Sequence, residues 1–184
     1  MNALTSGPAT QIELSDKILP RIEYRKMLDV LNDLDALDLI QVERVANLQG
    51  KSTIYYAALR EEWVKSEGIG HRAMLDMIER AFANFHPVRY EPTNPNRPDL
   101  GLQNMKPKTC VEVETGRKKL SPKETEEWAQ NVNQRGRELG YDRVVVVVPS
   151  VEKERRYAEA CKKHNLELTT MSNLLAYFGL HRAP

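Results

Sequence analysis

The sequence predicts an α/β fold, a mixed central sheet flanked by helices, with a small N-terminal helix plus β-hairpin. Three observations predict it. Five consecutive valines, Val144–Val148, form an apolar run with no alternation, the mark of a strand buried on both faces. Ser121, Pro122 and Glu124 form a helix start, with a capping serine, a proline in the first turn and a glutamate able to reach back. From about residue 70, strand-like and helix-like segments run in the order α-β-β-β-α-β-α-β-α, which calls for a sheet covered by helices.

Taken in order, residues 1–15 are polar and contain Gly7 and Pro8, which predicts a flexible tail. Residues 16–66 read as an arm. Pro20 opens a helix to about Asp35, with Ile22, Met27, Leu28, Leu31 and Leu34 as its apolar stripe. Leu39–Val45 and Thr53–Ala58 follow as a hairpin, turned at Asn47, Gln49 and Gly50. Gly68 and Gly70 mark a break, and residues 67–184 form the α/β domain. A helix from His71 to Phe85 carries Met74, Leu75, Ile78, Phe82 and Phe85 on one face. Short strands are predicted around Val88 to Tyr90, at Asp99–Leu102 and at Thr109–Thr115, with the loop EPTNPNRP before the second. The capped helix ends at Gly140, and Arg143–Val148 is predicted as the central strand. A helix over Val151–His164, a strand over Leu166–Thr169 and a helix over Ser172–Phe178 complete the domain.

Among 184 residues, 41% are hydrophobic and 29% charged, enough for a core and a polar surface. The net charge is +1, which excludes a polybasic coat. Eight basic and ten acidic residues lie in 1–66, leaving nineteen basic and sixteen acidic for 67–184. Phosphate contact is therefore expected in the second part. No apolar run reaches the roughly 20 residues of a membrane helix, and the N-terminus lacks a secretory pattern. Two cysteines, Cys110 and Cys161, make a disulfide framework unexpected and an intracellular, cytoplasmic setting the default. No Cys/His pair has zinc spacing, and neither a Walker loop nor GxGxxG is present, so no nucleotide cofactor is expected.

The chemistry concentrates in RPDL and CVEVETGRKK. On a strand, residues two apart share a face, so Glu112 and Glu114 point one way and Val111 and Val113 the other. Adjacent carboxylates repel unless neutralised. A hard divalent ion, Mg²⁺ or Mn²⁺, is the natural neutraliser, with Asp99 as a third ligand. Arg117, Lys118 and Lys119 stand ready for phosphate. A surface strand with solvated glutamates is the plain alternative.

GIGHR at Gly68–Arg72, RPD at Arg97–Asp99, EVETG at Glu112–Gly116, QN at Gln130–Asn131 and GYDRVVVVV at Gly140–Val148 stand in an informative order. Gly68 to about Cys161 thereby resembles the PD-(D/E)xK nuclease superfamily, the restriction endonuclease-like and archaeal Holliday junction resolvase-like fold. It looks closest to small wing-plus-nuclease proteins and ATPase tails of archaea and mobile elements. The N-terminal arm resembles the second half of a winged-helix module.

The resemblance implies a metal-dependent DNA endonuclease with Asp99 and Glu112 as metal ligands. Glu114 stands where the family usually has lysine, a role Lys118 or Lys119 takes over. The family's first helix often carries an acidic residue, for which Glu79, or Asp76, is the candidate; Gly70 stands where relatives often have glutamate. His71 orients water or contacts phosphate, or serves as a cap or core histidine. Asn131 contacts the active-site strand or DNA, or is an exposed helix residue. Arg97, with Arg117, Lys118 and Lys119, faces phosphate. Trp128, Val132 and Tyr141 read as packing. DNA is the expected partner, and a homodimer is expected because cutting both strands needs two sites. The alternatives are an inactive nuclease-fold module for DNA binding or assembly, and a winged-helix-type transcription regulator.

Overall fold

A computed structural model describes residues 9–18, 24–37, 39–58, 68–90, 97–116 and 119–180. The chain divides into two units, residues 1–45 with 52–73 and residues 46–51 with 74–184.

The first unit contains strand β1 (Ala9–Thr10), helices α1 (Gln11–Ile18) and α2 (Tyr24–Ala36), and most of the hairpin of β2 (Ile40–Ala46) and β3 (Ser52–Ala58). The sheet order is β1-β3-β2, with Ala9 opposite Tyr56 and Thr10 opposite Tyr55. The tail expected over residues 1–15 therefore does not hold from Ala9 onward. The reason is local. Thr10 Oγ1 accepts from Glu13 N at 3.2 Å while Thr10 N donates to Glu13 Oε2 at 2.8 Å, a reciprocal cap that starts α1. Ala9, Leu14, Met27, Leu31, Ile40 and Tyr56 form the core of this unit. At the hairpin turn Asn47 Oδ1 accepts from both Gln49 N and Lys51 N, and Gly50 takes a φ of 75° that favours glycine. The helix expected from Pro20 is described only from Tyr24; residues 19–23 lie outside the described residues.

Helix α3 (Gly68–Ala81) starts at Gly68 rather than His71, so the two glycines open the helix instead of breaking before it. In the second unit the strands are β4 (Pro87–Arg89), β5 (Leu100–Leu102), β6 (Thr109–Val113), β7 (Arg143–Val148) and β8 (Glu167–Thr170), in that spatial order. The first two pairings are antiparallel and the last two parallel. The mixed sheet is as the sequence predicts, but its middle strand is β6, not Arg143–Val148. β7 is interior and its five valines are buried, yet two strands lie beyond β6 on one side and only β8 beyond β7 on the other.

Helices α4 (Pro122–Glu138) and α5 (Val151–Lys163) cover one face of this sheet. Ala129 and Val132 of α4 and Tyr157, Ala160 and Cys161 of α5 pack with Cys110, Val144, Val146 and Val148. The cap predicted at Ser121 is present: its N–H donates to Glu124 Oε2 at 2.7 Å and its hydroxyl accepts from Glu124 N. Gly136 governs how close α4 comes. A Cβ there would lie 2.4 Å from Val144 Cγ2 and 3.3 Å from Cys110 Sγ. The short helix α6 (Leu174–Tyr177) is the last described element, tied to the sheet where Arg143 bonds Glu167 through Nε at 2.8 Å and lies over the Phe178 ring.

Gly136→Ala separates two opposing effects. Helix propensity favours alanine by about 1 kcal/mol, whereas overpacking costs about 1–3 kcal/mol. Because Val144 is held in the sheet, we predict a net loss of about 1 kcal/mol in urea denaturation. A gain in stability would show that α4 and β7 are not in such close contact.

Candidate functional site at the end of the middle strand

The site begins with the burial of β6. All five of its residues are buried, Glu112 among them at 8% exposure. A charge so placed needs a partner, because transfer of an isolated carboxylate from water into protein is very costly. Cys110 and Glu112 point to the face covered by α4, and Val111 and Val113 to the other. Arg135 on α4 meets the carboxylate, with Nη2 2.7 Å from Glu112 Oε1. The same guanidinium donates through Nη1 to the backbone oxygen of Arg97 at 3.4 Å. Cys110 lies deep in the core; burial first, then Glu112, pushes its thiol up to about 12.

Asp99 arrives from the start of β5. Its Oδ2 accepts from Val113 N at 2.7 Å, the residue between the two glutamates of the motif. The structure thus brings Asp99 to the strand end that carries Glu112 and Glu114, as the spacing predicts.

Glu114 departs from the strand geometry. β6 ends at Val113, although Glu114 N still donates to Val147 O at 3.0 Å. Beyond that point strict alternation lapses, and Glu114 Oε1 accepts from Gly116 N at 2.6 Å. Gly116 has a φ of 67°, which favours glycine and makes this tight turn. Lys153, from the first turn of α5, donates to Gly116 O at 3.1 Å. The hydroxyl of Tyr157, which is fully buried, is pushed up to about 12 by burial first and by Glu114 next. Trp128 stacks edge-on against Tyr157 at 5.1 Å, as its packing assignment requires. Tyr141 is buried too, its hydroxyl 2.7 Å from that of Tyr90.

The remaining candidates fall as follows. Arg97 is exposed, with its guanidinium 5.3 Å from the centre of the Tyr90 ring. Asn131 is exposed on α4 and lines a surface groove with Trp128, Gln134 and Arg135. Lys119 is exposed just before α4, while Arg117 and Lys118 lie outside the described residues. Asp76 and Glu79 of α3 face Arg89, whose Nη1 bonds Asp76 and stands 3.9 Å from Glu79. His71 is half-buried in the part of α3 that belongs to the first unit. There the N–H of neighbouring Gly70 donates to Glu43 Oε2 at 3.0 Å, and a Cβ on Gly70 would meet that carboxylate at 2.4 Å. The chain therefore has a carboxylate beside position 70 that comes from β2.

Three residues at these positions escape sequence reasoning: Arg135, Lys153 and Glu43. None has a local signal. For Lys153 a topological one exists, since parallel pairing of β6 and β7 puts the first turn of the following helix beside the end of β6.

Among the described residues, no three His, Cys, Asp or Glu side chains are gathered as a metal cage, and no helix is long and apolar enough to cross a membrane. No family model matches the chain, and no curated protein or solved structure matches it.

Removal of Arg135 and neutralisation of Glu112 are not equivalent. Arg135→Ala takes the guanidinium from a buried carboxylate, and loss of one partner of a buried pair costs about 3 kcal/mol. Glu112→Gln keeps an amide oxygen as acceptor and is predicted to cost about 1 kcal/mol. Urea denaturation of both variants measures the asymmetry; two changes below about 0.5 kcal/mol would mean that the pair does not stabilise the fold.

Proposed function

We propose that the chain is a metal-dependent nuclease acting on DNA, of the PD-(D/E)xK kind that its motifs resemble. One observation carries this reading: Asp99 Oδ2 accepts from Val113 N, so a carboxylate from the start of β5 is held on the backbone of β6 at the residue after Glu112, beside the parallel strand β7. In sheets of this type, ligands sit outside the carboxyl ends of parallel strands.

Asp99 and Glu112 suit Mg²⁺ or Mn²⁺ in kind, being hard oxygen donors. Mg²⁺ is usually held by one or two carboxylates with water and substrate phosphate, rather than by a cage made only of protein. A carboxylate has about four lone-pair sites, so the bonds to Val113 N and Arg135 are compatible with such contact. The ion, when bound, supplies an activated water and neutralises charge on the phosphate.

The protein's own groups do the rest. Glu114, turned back by Gly116, stands where the family that the motifs resemble usually has lysine, and receives a proton from the attacking water. Lys153 and Lys119 provide positive charge for the phosphate in place of that lysine. Arg97 and the exposed Asn131 hold the DNA backbone. A homodimer places two such sites for the two strands of a duplex. The cytoplasm suits the chain, since Cys110 and Cys161 are buried free thiols.

A second reading is favoured by the Arg135–Glu112 pair and by glutamate at position 114: a nuclease fold that binds DNA or assembles with partners and does not cut. Supercoiled and branched DNA, incubated with the purified chain in Mg²⁺ or Mn²⁺ and with a chelator control, separates the two. The nuclease reading predicts nicking that the chelator abolishes and that Asp99→Asn and Glu112→Gln each lower by about a hundredfold or more. Binding without cleavage in either metal gives the second reading instead.

A further inference from the structure

We propose that Arg135 is a positioning residue of the acidic site, the resident counter-cation that holds Glu112 in the metal-free protein and competes with a divalent ion for it. The inference rests on the metal-site reading above and extends it to a residue that lies in none of the motifs quoted for it.

Its basis is the place of Arg135 in the fold. Gly136 lets α4 approach the sheet at Val144 and Cys110, and Arg135 is the residue immediately before it. That approach brings the guanidinium within 2.7 Å of Glu112. Both side chains are largely shielded, 20% and 11% exposed, so salt and water screen the pair less than they would at the surface. The second arm of the guanidinium donates to Arg97 O, two residues before Asp99. Arg135 thus spans the two segments that carry the proposed ligands. It aims Glu112 and joins β6 to the approach of β5. It also places a fixed positive charge where a divalent cation must settle.

Two effects follow with opposite sign. A guanidinium beside the ligand repels an incoming cation and weakens its binding. It also gives the buried carboxylate of the metal-free protein a charged partner. A merely structural arginine would have only the second effect, so metal affinity is the informative readout.

The test is calorimetric titration of the full chain with Mn²⁺ alone, for wild type, Arg135→Gln, Arg135→Lys and Glu112→Gln. Arg135→Gln is predicted to bind about tenfold more tightly than wild type, because one repelling charge is gone at short range. Arg135→Lys keeps the charge and should stay near wild type, and Glu112→Gln should lose binding. If wild type binds through Glu112 and Arg135→Gln binds equally or more weakly, the role of Arg135 is overturned while the metal site stands. If neither wild type nor Arg135→Gln binds Mn²⁺ through Glu112, the metal-site reading falls and the inference with it. Should Arg135→Gln fail to fold, ¹⁵N spectra of arginine side chains in wild type take its place. The Arg135 Nε signal is predicted to shift as Mg²⁺ is added; an unmoved signal at saturation overturns the proposal.

Discussion

A charged residue in the middle strand of a buried sheet constrains everything around it. Glu112 stands in register with Val146, one strand in from a run of valines and two residues from Cys110. Its carboxylate cannot be left in that setting without compensation. Arg135 compensates it, and for Arg135 to reach, α4 must lie close to the sheet. That closeness in turn requires a residue without a side chain at position 136. The capping box at Ser121 sets where α4 begins, and a glycine in left-handed conformation, Gly140, follows its end. Sequence, helix placement and the electrostatics of the site are therefore one chain of causes.

Local signals were the legible ones. Ser121 and Glu124 are three residues apart, so the cap could be read directly, and five valines in a row could hardly be other than an interior strand. Thr10 and Glu13 carry the same reciprocal cap, yet they sit in a polar stretch and read as a tail. What separates the two cases is packing: Ala9 and Leu14 are buried against Met27, Leu31 and Tyr56, residues far along the chain. The middle position of β6 was hidden for a related reason. Hydrophobicity reports burial, and both β6 and β7 are buried; which lies in the middle depends on how many strands pair on each side.

The nearness of Asp99 to the end of β6 was legible in the sequence, and the arginine on Glu112 was not. Strand periodicity placed Glu112 and Glu114 together, and Asp99 followed from the neighbouring strand. Periodicity cannot tell where a strand stops, and β6 stops at Val113, which lets Glu114 fold back onto Gly116 N. The lysine run after Gly116 is a visible cationic signal because it is contiguous in sequence. The cations that the structure places against the site, Arg135 and Lys153, come from two different helices, 23 and 41 residues after Glu112. Only the parallel arrangement of β6 and β7 and the helices that follow them brings these residues near.

In the proposed site, the acidic end of β6 and its arginine set up a competition between an internal cation and an external one. In the metal-free protein the guanidinium holds the Glu112 carboxylate at 2.7 Å; Asp99 is fixed on a backbone amide a residue away. The proposed chemistry needs both carboxylates turned toward one ion. A crystal of the full chain soaked in Mn²⁺, with the ion located by its anomalous scattering, tests that most directly. The account predicts one manganese between Asp99 and Glu112 at the carboxyl end of β6. Manganese bound elsewhere, with both carboxylates kept on Val113 N and Arg135, would contradict it.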